Sequence, residues 1–321
     1  MLFLQSSLTQ QKSVKITPLF SIPCGIATLV FMAQLNLIRP PVTSQTSTSD
    51  WHQTIWNDEK AWESTSSGWT AIVSEERSRL VSLAEADHGE NLLYVSSKDA
   101  MSWGGHLCWL GPQSQWKDNW PPAMDWERSS ATAVRASRTL LTVTHPHTDL
   151  KYPGLTRSYQ WRKGVLHCNL SWQGGYHHAI HIVQVPRWSI IHLHRAITKD
   201  FPLGYGMPKF SGPIETLADV AIHGEVGRVD GDRMTLWHAN LSEKIAVEPQ
   251  ELIAEIGDHQ LKIRRGAESG CTEAAPDHGL LTQVFVGDWQ NPFIELEQLS
   301  PYANNNSAEC EILIEPLRPV R

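Results

Sequence analysis

The chain has 321 residues, 41% of them hydrophobic and 19% charged, enough to bury a core and with no long low-complexity tract. A formal charge of −7, with basic residues scattered and only Arg162-Lys163 and Arg264-Arg265 adjacent, lacks the basic stripe that phosphate binding needs. No nucleic-acid partner is therefore expected. Of the five cysteines, Cys24, Cys108, Cys168, Cys271 and Cys310, none forms a CxxC pair or zinc-ribbon spacing, so buried thiols and disulfides both stay open.

In chain order, residues 1–38 read as a signal peptide or an N-terminal membrane anchor. Lys12 and Lys15 precede an apolar stretch densest at Ile26–Met32. Pro18, Pro23, Gly25, Gln34 and Asn36 interrupt it, and a start at Met32 is the alternative. Residues 39–50 read as a solvated linker. The expectation is an exported, extracytoplasmic monomer that meets a membrane only through an uncleaved leader.

Residues 51–321 read as a single domain of short strands separated by turns. Trp69–Val73, Arg79–Leu83 and Asn91–Val95 come first. The segment Trp103-Gly104-Gly105-His106-Leu107-Cys108-Trp109-Leu110-Gly111-Pro112-Gln113 follows, with no hydrophobic period, and Trp116–Pro122 extends it as an aromatic loop. Ala133–Thr144 reads as one strand. Leu155–Trp161 and Val165–Trp172 read as a hairpin about Arg162-Lys163-Gly164. His177–Val185 and Ser189–Ala196 read as a pair about Pro186-Arg187, and Phe201–Pro213 as a second glycine-rich loop. Asp230-Gly231-Asp232 joins Val220–Val229 to Arg233–Ala239. Gly257-Asp258-His259 joins Leu252–Ile256 to Gln260–Arg264. Leu281–Val286, Phe293–Leu299 and Glu311–Ile314 close the domain. Strands at this spacing, with no helix of twelve or more residues, predict an all-β sandwich or barrel.

The late strand carries the sharpest chemistry. Alternation puts Phe293, Glu295 and Glu297 on one face and Ile294 and Leu296 on the other, toward the core. The two carboxylates then stand roughly 6.5–7 Å apart. In a cleft, repulsion and desolvation raise one pKa, as an acid or base requires; on a wet face they do neither. His177 and His181 share a face with Ala179, whereas His178 lies with Ile180 and Ile182 as a core histidine. His177, His181, His192 and His194 could converge if their strands pair. No carboxylate at fixed spacing completes the set, so no metal is expected. Gly104-Gly105 lets the backbone bend sharply or approach a ligand, with His106 in the bend and Trp103 and Trp109 able to stack on a sugar. Arg128, Arg157 and Arg195 read as surface charge.

Phe293-Ile294-Glu295-Leu296-Glu297-Gln298-Leu299-Ser300-Pro301, Gly104-Gly105-His106…Trp109…Pro112-Gln113 and His181-Ile182-Val183-Gln184-Val185-Pro186 resemble an uncharacterised bacterial family of the galactose mutarotase-like superfamily. The resemblance implies a large antiparallel β-supersandwich over roughly Trp51–Pro316, with a concave sugar-binding face and no cofactor. In sugar mutarotases a late-strand glutamate takes the anomeric proton while a histidine protonates the ring oxygen. Glu297 best matches that glutamate and Glu295 is second; His181 or His106 is the implied acid, although no tyrosine or phenylalanine follows the histidine here. Trp103, Gly104, Gly105, Trp109, Gln113 and His177 are the implied sugar contacts. A non-catalytic carbohydrate-binding module or envelope scaffold is the alternative reading of the same fold.

Overall fold

The computed structural model describes residues 50–87, 89–96, 104–111, 125–128, 130–131, 133–145, 154–194, 227–230, 233–238, 243–247, 250–276, 280–304 and 307–318. The expected leader and nearly all of the expected linker lie outside these residues, as do Trp103, Gln113, Arg195 and the loops at Trp116–Pro122 and Phe201–Pro213.

Nineteen described strands build three antiparallel sheets. β1 (His52–Trp56), β2 (Glu59–Ser66), β3 (Trp69–Ser74) and β4 (Arg79–Glu85) form a four-stranded meander. β5 (His106–Gly111) is followed by a four-residue helix, α1 (Asp125–Arg128), the only helix among the described residues. Then come β6 (Ala133–Ala136), β7 (Leu140–Thr144), β8 (Leu155–Arg162), β9 (Val165–Gln173), β10 (His178–Pro186) and β11 (Ile190–His194). β12 (Gly227–Asp230), β13 (Arg233–Trp237), β14 (Glu243–Val247), β15 (Glu251–Ile256) and β16 (His259–Ser269) follow. β17 (Thr282–Val286), β18 (Phe293–Leu299) and β19 (Ser307–Leu317) end the chain. A five-stranded sheet runs β14-β17-β18-β10-β5, and a ten-stranded sheet runs β12-β13-β11-β15-β16-β19-β9-β8-β7-β6.

The hairpin turns explain much of the register. Lys163 and Gly164 both take positive φ (52° and 81°), the two-residue geometry that matches strand twist, and Arg162 pairs Val165 across it. Asn57-Asp58 and Ser67-Gly68 do the same between β1, β2 and β3. The turns read at Asp230 and Gly257 also hold: Asp230 pairs Arg233, and Ile256 pairs His259.

Four expectations change. Ala133–Thr144 is two strands, because the chain turns at Ser137, whose N–H donates to the Leu140 carbonyl at 2.8 Å. Asn91–Val95 is not a strand; only Val95 bridges, to Gly104. The Trp103–Gln113 segment is largely strand β5, and its missing period has a physical cause. All six β5 residues are buried on both faces, so nothing alternates. Finally, β10 and β11 do not pair with each other. Pro186-Arg187 carries the chain from the five-stranded sheet to the ten-stranded one.

The core lies between layers. β8 buries every second residue, Leu155, Arg157, Tyr159 and Trp161, and β9 answers with Leu166, Cys168, Leu170 and Trp172. Val183, Val185, Val284, Val286, Ile294 and Leu296 of the five-stranded sheet join Tyr159, Trp161, Ile312 and Ile314 of the ten-stranded sheet in one apolar cluster. At full burial each aliphatic side chain contributes about 1.5–3 kcal/mol. Cys108, Cys168 and Cys310 are buried free thiols, and Cys271 is a half-buried one.

Candidate functional site

The five-stranded sheet has two chemically different faces, fixed by register. Ile182 pairs both Glu297 and Leu107, and Gln184 pairs Glu295. Gln283 pairs Glu297, and Phe285 pairs both Glu295 and Lys244. Paired residues share a face. One face therefore carries Leu107, Trp109, His178, Ile180, Ile182, Gln184, Lys244, Gln283, Phe285, Phe293, Glu295 and Glu297. The other carries His106, Cys108, His181, Val183, Ile294 and Leu296, and looks into the core.

The predicted alternation in β18 is thus observed: Ile294 and Leu296 face the core and both carboxylates face away from it. The sequence-derived acids are not brought to them. His106 and His181 lie on the core face, separated from Glu295 and Glu297 by the sheet itself. His181 reaches across the sandwich instead, with Nε2 3.2 Å from the Cys310 carbonyl and 3.1 Å from Cys310 Sγ. The four-histidine set does not assemble either, because His192 belongs to the ten-stranded sheet, where it meets Glu255 at 2.9 Å.

On the carboxylate face the polar groups are buried: Glu295 8%, Glu297 2%, Gln184 0%, Gln283 2% and His178 4% exposed. Gln184 Nε2 donates to Glu295 Oε1 at 2.7 Å, and its Oε1 has no partner among the described residues. Lys244 Nζ lies 2.8 Å from Glu297 Oε2. Burial, then the charge of Glu297, raises the Glu295 carboxyl to about 8, against the opposing pull of Gln184 and Lys244. Glu295 therefore holds a proton at neutral pH beside a partner carboxylate paired to a lysine. Two carboxylates with different surroundings divide into acid and base. Burial also pushes His178 down to about 4, so its ring is neutral at pH 7. Tyr94 and Phe285 pack against Phe293 at 5.3 and 6.3 Å between ring centroids and wall one end of this face. Trp109 lies two strands and two residues of register from Glu297, roughly 12 Å away at the usual strand spacing and rise.

Gly104 and Gly105 have positive φ, 114° and 79°. A Cβ on Gly105 would overlap the Leu80 carbonyl oxygen, and one on Gly104 would overlap the Tyr94 carbonyl oxygen. The double glycine is thus a close backbone crossing under β4. His177 precedes β10, and its N–H donates to the Gly111 carbonyl at 2.8 Å.

Sequence reasoning missed several members. Gln184 was visible as the polar residue two places from Ile182, but Lys244 sits on a strand that carried no recognisable pattern. Arg157 is a correction: it is 1% exposed, not surface charge. It binds Glu127 Oε1 at 3.1 Å, while Arg79 binds Glu127 Oε2 at 3.0 Å. The Arg79 side chain also donates to the Gly104 carbonyl at 2.8 Å, and the Cys108 N–H donates to Glu127 Oε1 at 3.2 Å. This buried triad ties β4, β5, β8 and α1 together.

No family model matches the chain, and no curated protein matches it at a significant level. Among solved structures, HI1317 matches with a TM-score of 0.51 and 11% identity, over 85% of this chain and 97% of that one. A galactose mutarotase-like protein from Lactobacillus casei ATCC 334 matches with a TM-score of 0.50 and 15% identity, over 83% and 99%. At such identities the likeness is one of fold. The chain has the galactose mutarotase-like fold, an all-β antiparallel supersandwich.

Proposed function

We propose that the carboxylate face of the five-stranded sheet binds a sugar and interconverts its anomers by acid–base catalysis. The observation that carries this reading is the buried pair Glu295 and Glu297, one proton-bearing and one beside Lys244. Burying polar groups costs free energy unless a partner or a ligand answers them, and perturbed carboxyls in such a setting mark functional sites.

In this mechanism Glu297 takes the proton of the anomeric hydroxyl while Glu295 gives its proton to the ring oxygen. The bond from the anomeric carbon to the ring oxygen breaks and an aldehyde forms. Rotation about the adjacent carbon–carbon bond exposes the other carbonyl face, and the same proton transfers in reverse reclose the ring. Protons balance and no cofactor takes part. Glu295 replaces His106 and His181 as the acid because it shares the face of Glu297. His178 shares it too, but a ring that is neutral at pH 7 has no proton to spare for this step.

Polarimetry tests the reading. Fresh α-glucose or α-galactose should mutarotate faster with the protein, and Glu297→Gln should cut the acceleration at least 100-fold, the usual scale of an acid–base group. The Lys244–Glu297 ion pair favours a second reading, a non-catalytic sugar-binding module in which the lysine occupies the base. A sugar that raises the thermal midpoint without any acceleration would select that alternative.

A further inference from the structure

The core face of the same sheet gathers a different chemistry. His106 and Cys108 are two residues apart on β5 and share a face, and the register sets Cys108 opposite His181. His106 Nε2 lies 3.0 Å from His181 Nδ1. Cys108 Sγ lies 3.5 Å from His106 Nε2 and 3.8 Å from His181 Nδ1. Ligands about 2.0–2.1 Å (nitrogen) and about 2.3 Å (sulfur) from one ion stand roughly 3.3–3.8 Å apart; the two sulfur edges fall in that range, and the nitrogen–nitrogen edge has to open by a few tenths of an ångström to admit the ion. All three residues are buried.

Two further features fit. His181 Nε2 donates across the sandwich to the Cys310 carbonyl at 3.2 Å, which leaves the Nδ1 lone pair turned toward the cluster. Ligating histidines are held in this way by their second nitrogen. A hydrogen bond from His106 Nε2–H to His181 Nδ1 accounts for the 3.0 Å contact, but it leaves neither facing nitrogen a lone pair for the Cys108 S–H.

We propose that His106 Nε2, Cys108 Sγ and His181 Nδ1 bind one copper(I) ion between the two sheets. Charge selects the monovalent ion. Arg79, Arg157 and Glu127 already leave one net positive charge beside the site. Copper(I) with a thiolate and two neutral imidazoles adds none, whereas zinc(II) would add another in a place without solvent to answer it. Thiolate and imidazole are donors that copper(I) accepts. On binding, the Cys108 S–H bond breaks, a copper–sulfur bond forms and one proton leaves to solvent. His106 shifts its proton from Nε2 to Nδ1, with no net proton change. The site is independent of the sugar-binding face, because the sheet stands between them.

The full chain, unfolded under reducing conditions and refolded anaerobically with copper(I), tests this. Elemental analysis after desalting should find one copper per chain, and X-ray absorption should show two nitrogens and one sulfur around it. Cys108→Ser should retain at least tenfold less copper, while Cys271→Ser, at the half-buried thiol outside the cluster, should retain it fully. Equal copper in Cys108→Ser and wild type overturns the proposal, as does a correctly refolded wild type without copper. Zinc retained in preference to copper(I) overturns the charge argument. If Cys108→Ser does not fold, the absorption spectrum of the wild type decides alone: a copper shell without sulfur rejects the site.

Discussion

Glu127→Gln is expected to destabilise the protein by about 3–5 kcal/mol, the scale for breaking a buried ion pair by removing one partner. The Arg79 and Arg157 side chains are 0% and 1% exposed, and Glu127 is the carboxylate that binds both. Without it, two guanidinium charges stay in the interior facing one another. Burial already holds Arg79 down to about 10 even with Glu127 in place, which shows how little solvent reaches it. A second substitution sharpens the test. Arg157→Met in the Glu127→Gln background removes one of the uncompensated charges and should recover part of the loss. Urea unfolding of the two single variants and the double variant measures that coupling. Additive losses, or a Glu127→Gln effect below about 1 kcal/mol, would mean that the triad is not what joins β4, β5 and β8.

The second large effect is a pH dependence centred on Glu295. Its carboxyl is raised to about 8 in the folded chain, from about 4.3 when unfolded. A group raised on folding contributes stability that is fully present below its unfolded pKa and lost as pH rises through its folded pKa. Glu295 therefore lowers stability steadily as pH rises from about 4.3 toward its folded value. Among the described residues, four buried histidines run the other way, including His178 and His145. His178 is lowered to about 4 and His145 to about 2, each first by burial. Their stabilisation is present above about pH 6.5 and is lost as pH falls through the folded values. Across these groups, stability climbs from acid up to about pH 6.5 and then declines toward pH 8. Glu295→Gln removes the decline, so its thermal midpoint should exceed that of the wild type at pH 8 and lose the advantage near pH 4.5. A wild-type midpoint that is flat from pH 6.5 to 8 would contradict the assignment.

Local chemistry made part of this architecture readable in advance. The hairpins at Lys163-Gly164, Asp230 and Gly257 could be read because turn geometry is written in two or three adjacent residues. The opposed faces of β18 could be read because alternation is a property of one strand. What escaped was non-local. Glu127 lies 48 residues from Arg79 and 30 from Arg157, and nothing near any of them shows that they meet. The sorting of β10 and β11 into different sheets depends on what each strand finds as a partner, which Pro186-Arg187 does not encode. His181 went to the wrong side of the sheet for the same reason. Its face within β10 was derived correctly, with Ala179, but the match of Ile182 to Glu297 needs two strands and their register. β5 hid because complete burial erases the period on which strand recognition relies.

The proposed sugar-binding face rests on one placement, and crystals of the protein soaked with glucose or galactose test it most directly. The expected result is a ring seated on the five-stranded sheet, with its anomeric oxygen within hydrogen-bond distance of Glu297 and its ring oxygen facing Glu295. The competing position is the hollow of about 680 Å³ lined by Thr156, Ser171, Gln173, Ser269 and Glu309 of the ten-stranded sheet. A sugar bound there, with Glu295 and Glu297 left untouched, would contradict the assignment.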